Sequence, residues 1–594
     1  MSPKLGNIFS DNILAASHKK RTKVKGSKEF ERETASRRFI APVLLGAAFL
    51  ILFLRLFYLT VISHDKYKAM AQNNRVRESV VPAPRGILYD RNNTPLVRNI
   101  PAFKTESGDL YFEKEPANPE GELQETVVRE YVAGSSLSHV LGFVGEVGED
   151  KAGKPSGKKD FKGSPIIFQP GDYIGKTGIE ESYDNLLRGE DGRNLYEFDA
   201  RGKKTRLLGK IDAVPGQSLT LTLDKELSEV AASALDGQKG AIIASVPQTG
   251  EILTLYSSPS FDPNSFIKGE GVDRLLLDPN LPLYNRAISG TYPPGSTFKI
   301  VSSIAGLESG ILDKSTQFED TGILRVGDFS FGNWYFLQYG RVEGLINVVR
   351  ALARSNDIFF YKVAEGLGVD KLADWGVRFG MGKPLGIDIE GEVGGVMPDR
   401  EWRKRVKNAD WYLGDTYHVG IGQGDILTTP LQVNQWTNII ASNGKSCKPH
   451  LLKIRNSKSE IRNECVDLKL KKENIELVKE GMKQACDTGG TGWPLFEFKV
   501  KSLKLKVDER NFFDGGTASG SAEKLVKIPV ACKTGTAEYG NPENHTHAWF
   551  TVFAPIENPQ IAITVLVEGG GEGSSVAAPI AKKMLEEWFG GEEK

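Results

Sequence analysis

Residues 239–258 read KGAIIASVPQTGEILTLYSS, two apolar runs separated by a segment holding Pro247 and Gly250. Short β-branched runs around such a turn read as two paired strands. Upstream, QSLTLTLDKELSEVAASALDG (217–237) gives an alternating strand and then a helix with apolar positions at helical spacing. Downstream, helical patterns cluster at about 297–310, 343–367, 370–380, 430–442 and 473–486. Strands return only near the end, in HAWFTVFAP (547–555) and QIAITVLVEG (560–569), followed by a last helix, VAAPIAKKMLEEWF (576–589). Strands at both ends of one domain with helices between them imply an antiparallel sheet completed by both chain halves, an α+β fold.

At 594 residues the chain needs two or three domains. Lys+Arg and Asp+Glu balance at 76 each, so no global field points to nucleic acid. The informative charge is local. Residues 1–38 hold ten Lys/Arg (Lys4, Lys19, Lys20, Arg21, Lys23, Lys25, Lys28, Arg32, Arg37, Arg38) against four acids (Asp11, Glu29, Glu31, Glu33). That arm ends at FIAPVLLGAAFLILFLRLFYLTVI, residues 39–62. As a helix this segment reaches about 36 Å, enough to cross a hydrocarbon core of about 30 Å. LTVISHDKYK comes next in place of a small-residue cleavage site, so the segment reads as an uncleaved anchor. The basic flank places the N-terminus in the cytoplasm and the rest outside, a single-pass protein of the cytoplasmic membrane. Arg55 either snorkels to the outer interface or meets another membrane protein's helix. Cys447, Cys465, Cys486 and Cys532 then lie where disulfides are permitted, and their spacings match no zinc pattern. A Cys447–Cys465 bridge is one possibility.

Between the anchor and residue 215, VVPAPRGILYDRNNTPLV (80–97) reads as strand and turn. Residues 105–135 are polar and Glu-rich, a poor candidate for core. SHVLGFVGEVGED (138–150) reads as a strand, EDKAGKPSGKKDFKGSP (149–165) as an exposed loop, and GIEESYDNLLRGEDGRNLYEF (178–198) as a short helix, a turn and a strand.

The chemistry gathers around GTYPPGSTFKIVSSIAGLESG (290–310). Pro293, Pro294 and Gly295 break the chain, and a helical run begins at Ser296. Lys299, three residues on, shares its helix face. A serine hydroxyl is a weak nucleophile until a base takes its proton, and a lysine serves when burial and nearby cations lower its pKa. Ser-x-x-Lys alone is weak; the chain carries it at least four more times, at Ser17, Ser63, Ser156 and Ser521. Residues farther along the chain distinguish Ser296 from these. Ser355 and Asp357 stand at a helix boundary in ARSNDIFFYK, and Lys533 lies in a strand-like run, VACKTGTAEYG. These supply a nucleophile with its base, a proton-relaying hydroxyl, and a cation for a substrate carboxylate. Gly535 would let a peptide approach the strand edge closely.

STFK, SND and KTGT, in that order, resemble the three motifs of penicillin-binding proteins and serine β-lactamases. RGILYDRNNTPL, SHVLGFVGEV and GIEESYDNLLRGEDG are similar to the non-catalytic part of class B penicillin-binding proteins. WYLGDTYHVGIGQGDILTTPLQ (411–432) and HAWF match the elongation-type branch, which also tends to carry aspartate at the place of Asp357. The resemblance implies an antiparallel sheet with helices on both sides, in a transpeptidase domain over 216–594. Ahead of it come the basic arm (1–38), the anchor (39–62) and a mostly β pedestal (63–215). Only about 45 residues separate RGILYDRN from SHVLGFVGEV, so the pedestal's outer lobe is expected to be reduced, and partner contacts there with it.

By the same resemblance Ser296 attacks the bond between two terminal D-alanines of a peptidoglycan stem peptide, with Lys299 as base. Backbone N–H groups of Ser296 and Thr536 form the oxyanion hole. Ser355 relays the proton with Lys533 nearby, while Thr534, Gly535 and Thr536 line the substrate's place. Asp357 either touches substrate or orients its loop. An amine acceptor completes the cross-link, and β-lactams enter the same path. No metal or organic cofactor is implied: His545 and His547 share a strand face without a third ligand and are read as flank to that strand. Nothing resembles a glycosyltransferase, so a separate polytopic polymerase is the expected partner. Lys176-Thr177-Gly178, the earlier copy of the tripeptide, belongs to the pedestal. A carboxypeptidase, a β-lactamase, a signalling receptor and an inert scaffold are the competing functions.

Overall fold

The computed structural model describes residues 30–68, 76–105, 110–112, 123–159, 165–199, 203–453, 464–500, 526–540 and 545–590. The basic arm up to residue 29 lies outside them. The chain divides into two compact units, residues 1–79 with 194–210, and residues 80–193 with 211–594.

In the first unit, helix α1 (Phe30–Phe57) runs through Pro42 and continues as a wider turn over Tyr58–Ile62. Pro42–Ile62 is long and apolar enough to cross a membrane, the only such helix among the described residues. The Arg55 guanidinium lies 5.6 Å from the Tyr58 ring centroid, toward the C-terminal end of that span. A three-stranded sheet of Val76–Val81, Gly192–Phe198 and Lys204–Ile211 accompanies it.

In the second unit, the Pro95–Lys104 strand pairs antiparallel with Gln124–Tyr131. Within the 105–135 stretch, whose residues 106–109 and 113–122 lie outside the described ones, the Gln124–Tyr131 strand does enter the core, contrary to its composition: Arg129 and Tyr131 are 4% and 2% exposed. Arg129 is tolerated there because Glu180, wholly buried, takes Nη2 of Arg129 at 2.7 Å and Nη2 of Arg85 at 2.8 Å. Buried charges persist when paired. SHVLGF is not a strand throughout. Ser138–Leu141 is one helical turn ending at Gly142 (φ +73°), and only Val144–Glu146 extends. In the expected loop at 149–165, Pro155–Lys159 is a strand paired antiparallel with Pro165–Ile167, and residues 160–164 lie outside the described ones. Gly178 explains the earlier Lys-Thr-Gly: a Cβ there would stand 2.4 Å from the Val140 carbonyl oxygen, so glycine lets two backbone turns touch.

The rest of this unit is built on one five-stranded antiparallel sheet. Helix α2 (Lys225–Leu235) leads into β1 (Gly240–Ser245) and β2 (Ile252–Ser258). Helices α3 (Lys299–Glu308), α4 (Val348–Arg354), α5 (Asp357–Leu367), α6 (Pro430–Ala441) and α7 (Lys472–Ala485) come after them. The chain returns through β3 (Ala531–Glu538), β4 (Thr546–Ala554), β5 (Ile561–Val567) and α8 (Ala578–Gly590). Strand order is β2-β1-β5-β4-β3, so both chain halves complete the sheet and β3 ends it. Period-two alternation sends Phe550 and Val552 to the face covered by α2 and α8, and Trp549 and Phe553 to the face covered by α3 to α7. Cys447 is joined to Cys465 and Cys486 to Cys532; the second pairing is not legible from spacing.

Candidate active site

The turn bearing Ser296 is a single 3₁₀ turn, Gly295–Phe298, entering α3. Gly295 is left-handed (φ +53°) and donates its N–H to Gly422 O at 2.9 Å. A Cβ on Gly422 would lie 2.1 Å from Gly295 O, and one on Gly295 2.8 Å from Thr536 O. The serine turn is thus wedged between the Gly422 loop and β3. Thr297 Oγ1 donates to Pro294 O (2.8 Å), and Trp549 Nε1 donates to Pro293 O (2.9 Å), which ties the turn to β4. Ser296 is half-buried, and Lys299 is fully buried one turn on.

Ser355 sits in the break between α4 and α5, at φ +53°, a conformation uncommon outside glycine. Asn356 caps α5 by accepting from Phe359 N at 2.9 Å. The break aims three groups at one place. Lys299 Nζ donates to Ser355 O (2.8 Å) and Asp357 Oδ1 (2.6 Å), and lies 3.4 Å from Ser355 Oγ. Lys533 Nζ, on β3, donates to Ser355 Oγ (2.8 Å) and Thr534 O (3.0 Å). Asp357 Oδ2 accepts from Trp334 N at 2.9 Å, and Asn333 Oδ1 accepts from Asp357 N at 3.1 Å. The Asp357 carboxylate is thereby engaged by the protein itself, as the ion-pair partner of Lys299.

The electrostatics arise from two buried ammonium groups sharing one carboxylate. Burial lowers the Lys299 pKa, with Asp357 opposing. Lys533 is held well below the usual lysine range by burial and by the nearby Lys299 charge, again against Asp357. The lowering at both lysines brings the neutral amine that a base requires within reach.

Along β3, Thr534 is buried and its Oγ1 donates to Thr491 Oγ1 at 2.8 Å. Thr536 is exposed, and its carbonyl accepts from Gln423 Nε2 at 3.4 Å. Gly535, expected to admit a peptide to the strand edge, also has a packing reason to be glycine. A Cβ there would stand 2.9 Å from both Thr297 Cγ2 and Trp549 Cβ, so the glycine lets the serine turn seat on the sheet. His547 packs face to face on Tyr539 (ring centroids 3.8 Å apart) and accepts from Gly569 N at 3.3 Å. Burial lowers its pKa to about 4, a neutral packing ring.

The structure therefore brings Lys299, Ser355, Asp357 and Lys533 together beside the Ser296 turn. Sequence reasoning missed Asn333, Trp334, Gln423 and Thr491. Only the glycine density around Gln423 (GIGQG) and Thr491 (TGGTG) flags two of these as backbone close approaches.

A serine at a helix start, a lysine one turn on, and a hydroxyl–lysine pair from a helix break and an edge strand are the parts an active-serine acyltransferase needs. Comparison with known proteins agrees. Residues 240–586 match the penicillin binding protein transpeptidase domain, and residues 112–221 the penicillin-binding protein dimerisation domain. A curated relative, peptidoglycan D,D-transpeptidase MrdA of Acinetobacter baumannii, is 32% identical over 95% of this chain and 89% of its own. MrdA of Haemophilus influenzae is 31% identical over 94% and 92%. A crystal structure of Pseudomonas aeruginosa PBP2 in complex with WCK 5153 superposes with TM-score 0.66 at 31% identity, over 86% of this chain and 96% of that one. Helicobacter pylori PBP2 in complex with MreC gives 0.68 at 26% identity, over 86% and 98%. A chain from a peptidoglycan synthase complex that coordinates polymerization and crosslinking gives 0.69 at 28% identity, over 94% and 99%. The chain belongs to the penicillin-binding proteins, in the class B, elongation-type branch.

Proposed function

We propose that this enzyme cross-links peptidoglycan as a D,D-transpeptidase, with Ser296 as the acylated nucleophile. The observation that carries the reading is the convergence of Lys299 and Lys533 on Ser355 beside the Ser296 turn. The Lys299 amine takes the Ser296 proton as Oγ attacks the carbonyl between the two terminal D-alanines. The N–H groups of Ser296 and Thr536 stabilise the oxyanion, a service typically worth 10²–10³ in rate per donor. The C–N bond breaks, Ser355 passes a proton to the departing D-alanine amine, and Lys533 supports that transfer. Thr534 and Thr536 hold the substrate carboxylate. An amine of a neighbouring strand then attacks the Ser296 ester, and Oγ leaves with its proton restored. In a β-lactam the broken C–N bond lies in a ring, so the leaving amine stays tethered and the acyl-enzyme persists.

Residues 216–594 act as the transpeptidase domain and 63–215 as its pedestal, on an anchor whose basic flank stays cytoplasmic and whose catalytic part faces the wall. Full-length protein in detergent, treated with benzylpenicillin, should gain one stable adduct by intact mass. Rapid loss of the adduct would mean a hydrolase, and no adduct would leave a scaffold.

The reading assigns a polytopic membrane glycosyltransferase as the source of glycan strands and as partner, touched by the anchor at Arg55. Arg55→Leu should weaken co-purification with that polymerase several-fold while leaving penicillin acylation unchanged. Undiminished co-purification would remove the contact.

A further inference from the structure

Asn333 and Trp334 lie outside the three motifs, yet together they hold three atoms of the helix break that carries Ser355. Trp334 Nε1 donates to Arg354 O (3.0 Å) and Trp334 N to Asp357 Oδ2 (2.9 Å). Asn333 Oδ1 accepts from Asp357 N at 3.1 Å. Asn333 is wholly buried, and its own N–H donates to Gly322 O at 2.8 Å. Behind it stands Asp320, 2% exposed, whose Oδ2 accepts from Asn333 Nδ2 (2.9 Å) and Glu343 N (3.0 Å). Asp320 Oδ1 accepts from Gly322 N at 2.9 Å. A carboxylate that takes three N–H donors is an acceptor throughout, and it fixes which way the Asn333 amide points. Nδ2 faces Asp320, and Oδ1 is left for Asp357 N. The order Asp320, Asn333, Asp357, Lys299 is thus set by donor and acceptor chemistry, and all four residues are buried.

Contacts at the Asp357 N–H and at Oδ2 leave Oδ1 for Lys299 Nζ, 2.6 Å away. Holding the backbone and one carboxylate oxygen decides where the other oxygen points. We propose that Asn333 is a positioning residue for acyl transfer, holding Asp357 so that Oδ1 meets the Lys299 amine, with Asp320 as its anchor. The proposal rests on the reading of Lys299 as the base for Ser296. It extends the site to a segment between α3 and α4 that no motif covers. A carboxylate held in place opposes the effect of burial on a lysine more than one that wanders. Also facing the Lys299–Asp357 pair are Lys533 from β3 and Tyr361 from α5, the tyrosine's pKa raised by burial and then by Asp357. Glu538 of β3 acts on Tyr361 in turn.

The test is the pH dependence of benzylpenicillin acylation by full-length protein in detergent, with the rate taken per site that finally carries the adduct. Counting sites in this way separates lost fold from altered chemistry. Asn333→Ala should move the acid limb to lower pH by about one unit, the direction expected of Asp357→Asn. It should also slow the plateau about tenfold. Asp320→Ala keeps the amide but frees it, so the limb should move the same way by less; this variant serves if Asn333→Ala does not fold. Adding Asn333→Ala to Asp357→Asn should move the limb no further, because the group it acts through is gone. A limb that stays in place in both single variants, or shifts that add in the double variant, would overturn the proposal and leave Ser296 and Lys299 in their roles. A wild-type protein that forms no adduct, or whose rate shows no acid limb, would instead overturn the reading of the site, and this proposal with it.

Discussion

Ser296→Ala should abolish the penicillin adduct and lower cross-linking by at least about 10⁴-fold, the scale on which loss of a nucleophile is felt in serine acyl transfer. The expectation has a structural corollary that separates lost chemistry from lost fold. The turn around Ser296 is shaped by Gly295, by Thr297 Oγ1 on Pro294 O and by Trp549 Nε1 on Pro293 O. None of these is the Ser296 side chain. Thermal stability should therefore stay within about 0.5 kcal/mol of wild type. Non-covalent affinity for a donor peptide should also persist, because Lys533, Thr534 and Thr536 are untouched. Intact mass, a thermal melt and a binding titration on the same preparation check all three. A remaining adduct would place the nucleophile elsewhere. Growth complementation by Ser296→Ala would return the chain to the scaffold class.

The parts of the site that are legible in sequence are those whose chemistry demands a residue type at a helix start, a helix break or an edge strand. Ser296 comes after two prolines and a glycine, Ser355 and Asp357 straddle a break between helices, and Lys533 lies in an apolar strand. The sheet is legible too, because β1, β2, β4 and β5 are apolar runs bounded by turn residues. What stays hidden depends on contacts between distant segments. Asn333 and Trp334 meet Asp357 from a stretch that carries no periodic signal. Cys486 finds Cys532 across 46 residues, and no local spacing announces that. The 124–131 strand escapes a reading by composition, which counts Arg129 as exposed, whereas Glu180 makes its burial tolerable. Gly535 is singled out by sequence for the approach of a peptide, and the structure adds a packing reason that sequence does not carry. Its missing Cβ makes room for the protein's own Thr297 and Trp549, and that is visible only once two segments far apart in the chain are packed.

Lys299→Met should cost about 10²–10⁴ in the acylation rate, the usual worth of a positioned general base, and no pH should restore it. Methionine matches the lysine stem in length and packs adaptably, so the buried position stays filled. In the wild type, acylation needs the neutral amine, and its rate should climb with pH through the Lys299 pKa. Burial lowers that pKa and Asp357 opposes the lowering, so the carboxylate sets how far the limb lies below ordinary lysine. Asp357→Asn removes the opposition, and the acid limb should move to lower pH. It should also destabilise the fold by about 3–5 kcal/mol, because a buried ammonium loses its partner. Stability gives an independent sign. The unfolded chain holds its Lys299 proton up to about pH 10.4, whereas the folded chain releases it earlier. Between the two pKa values the unfolded state binds more protons, so wild-type stability rises with pH there. Below the folded pKa the burial cost is fully present. Lys299→Met should remove that contribution and flatten the rise, while Lys533, freed of a like charge, should move up toward ordinary lysine. A Lys299→Met enzyme within tenfold of wild type at its best pH would exclude Lys299 as the base and leave Lys533, acting through Ser355 Oγ, as the group that takes the Ser296 proton.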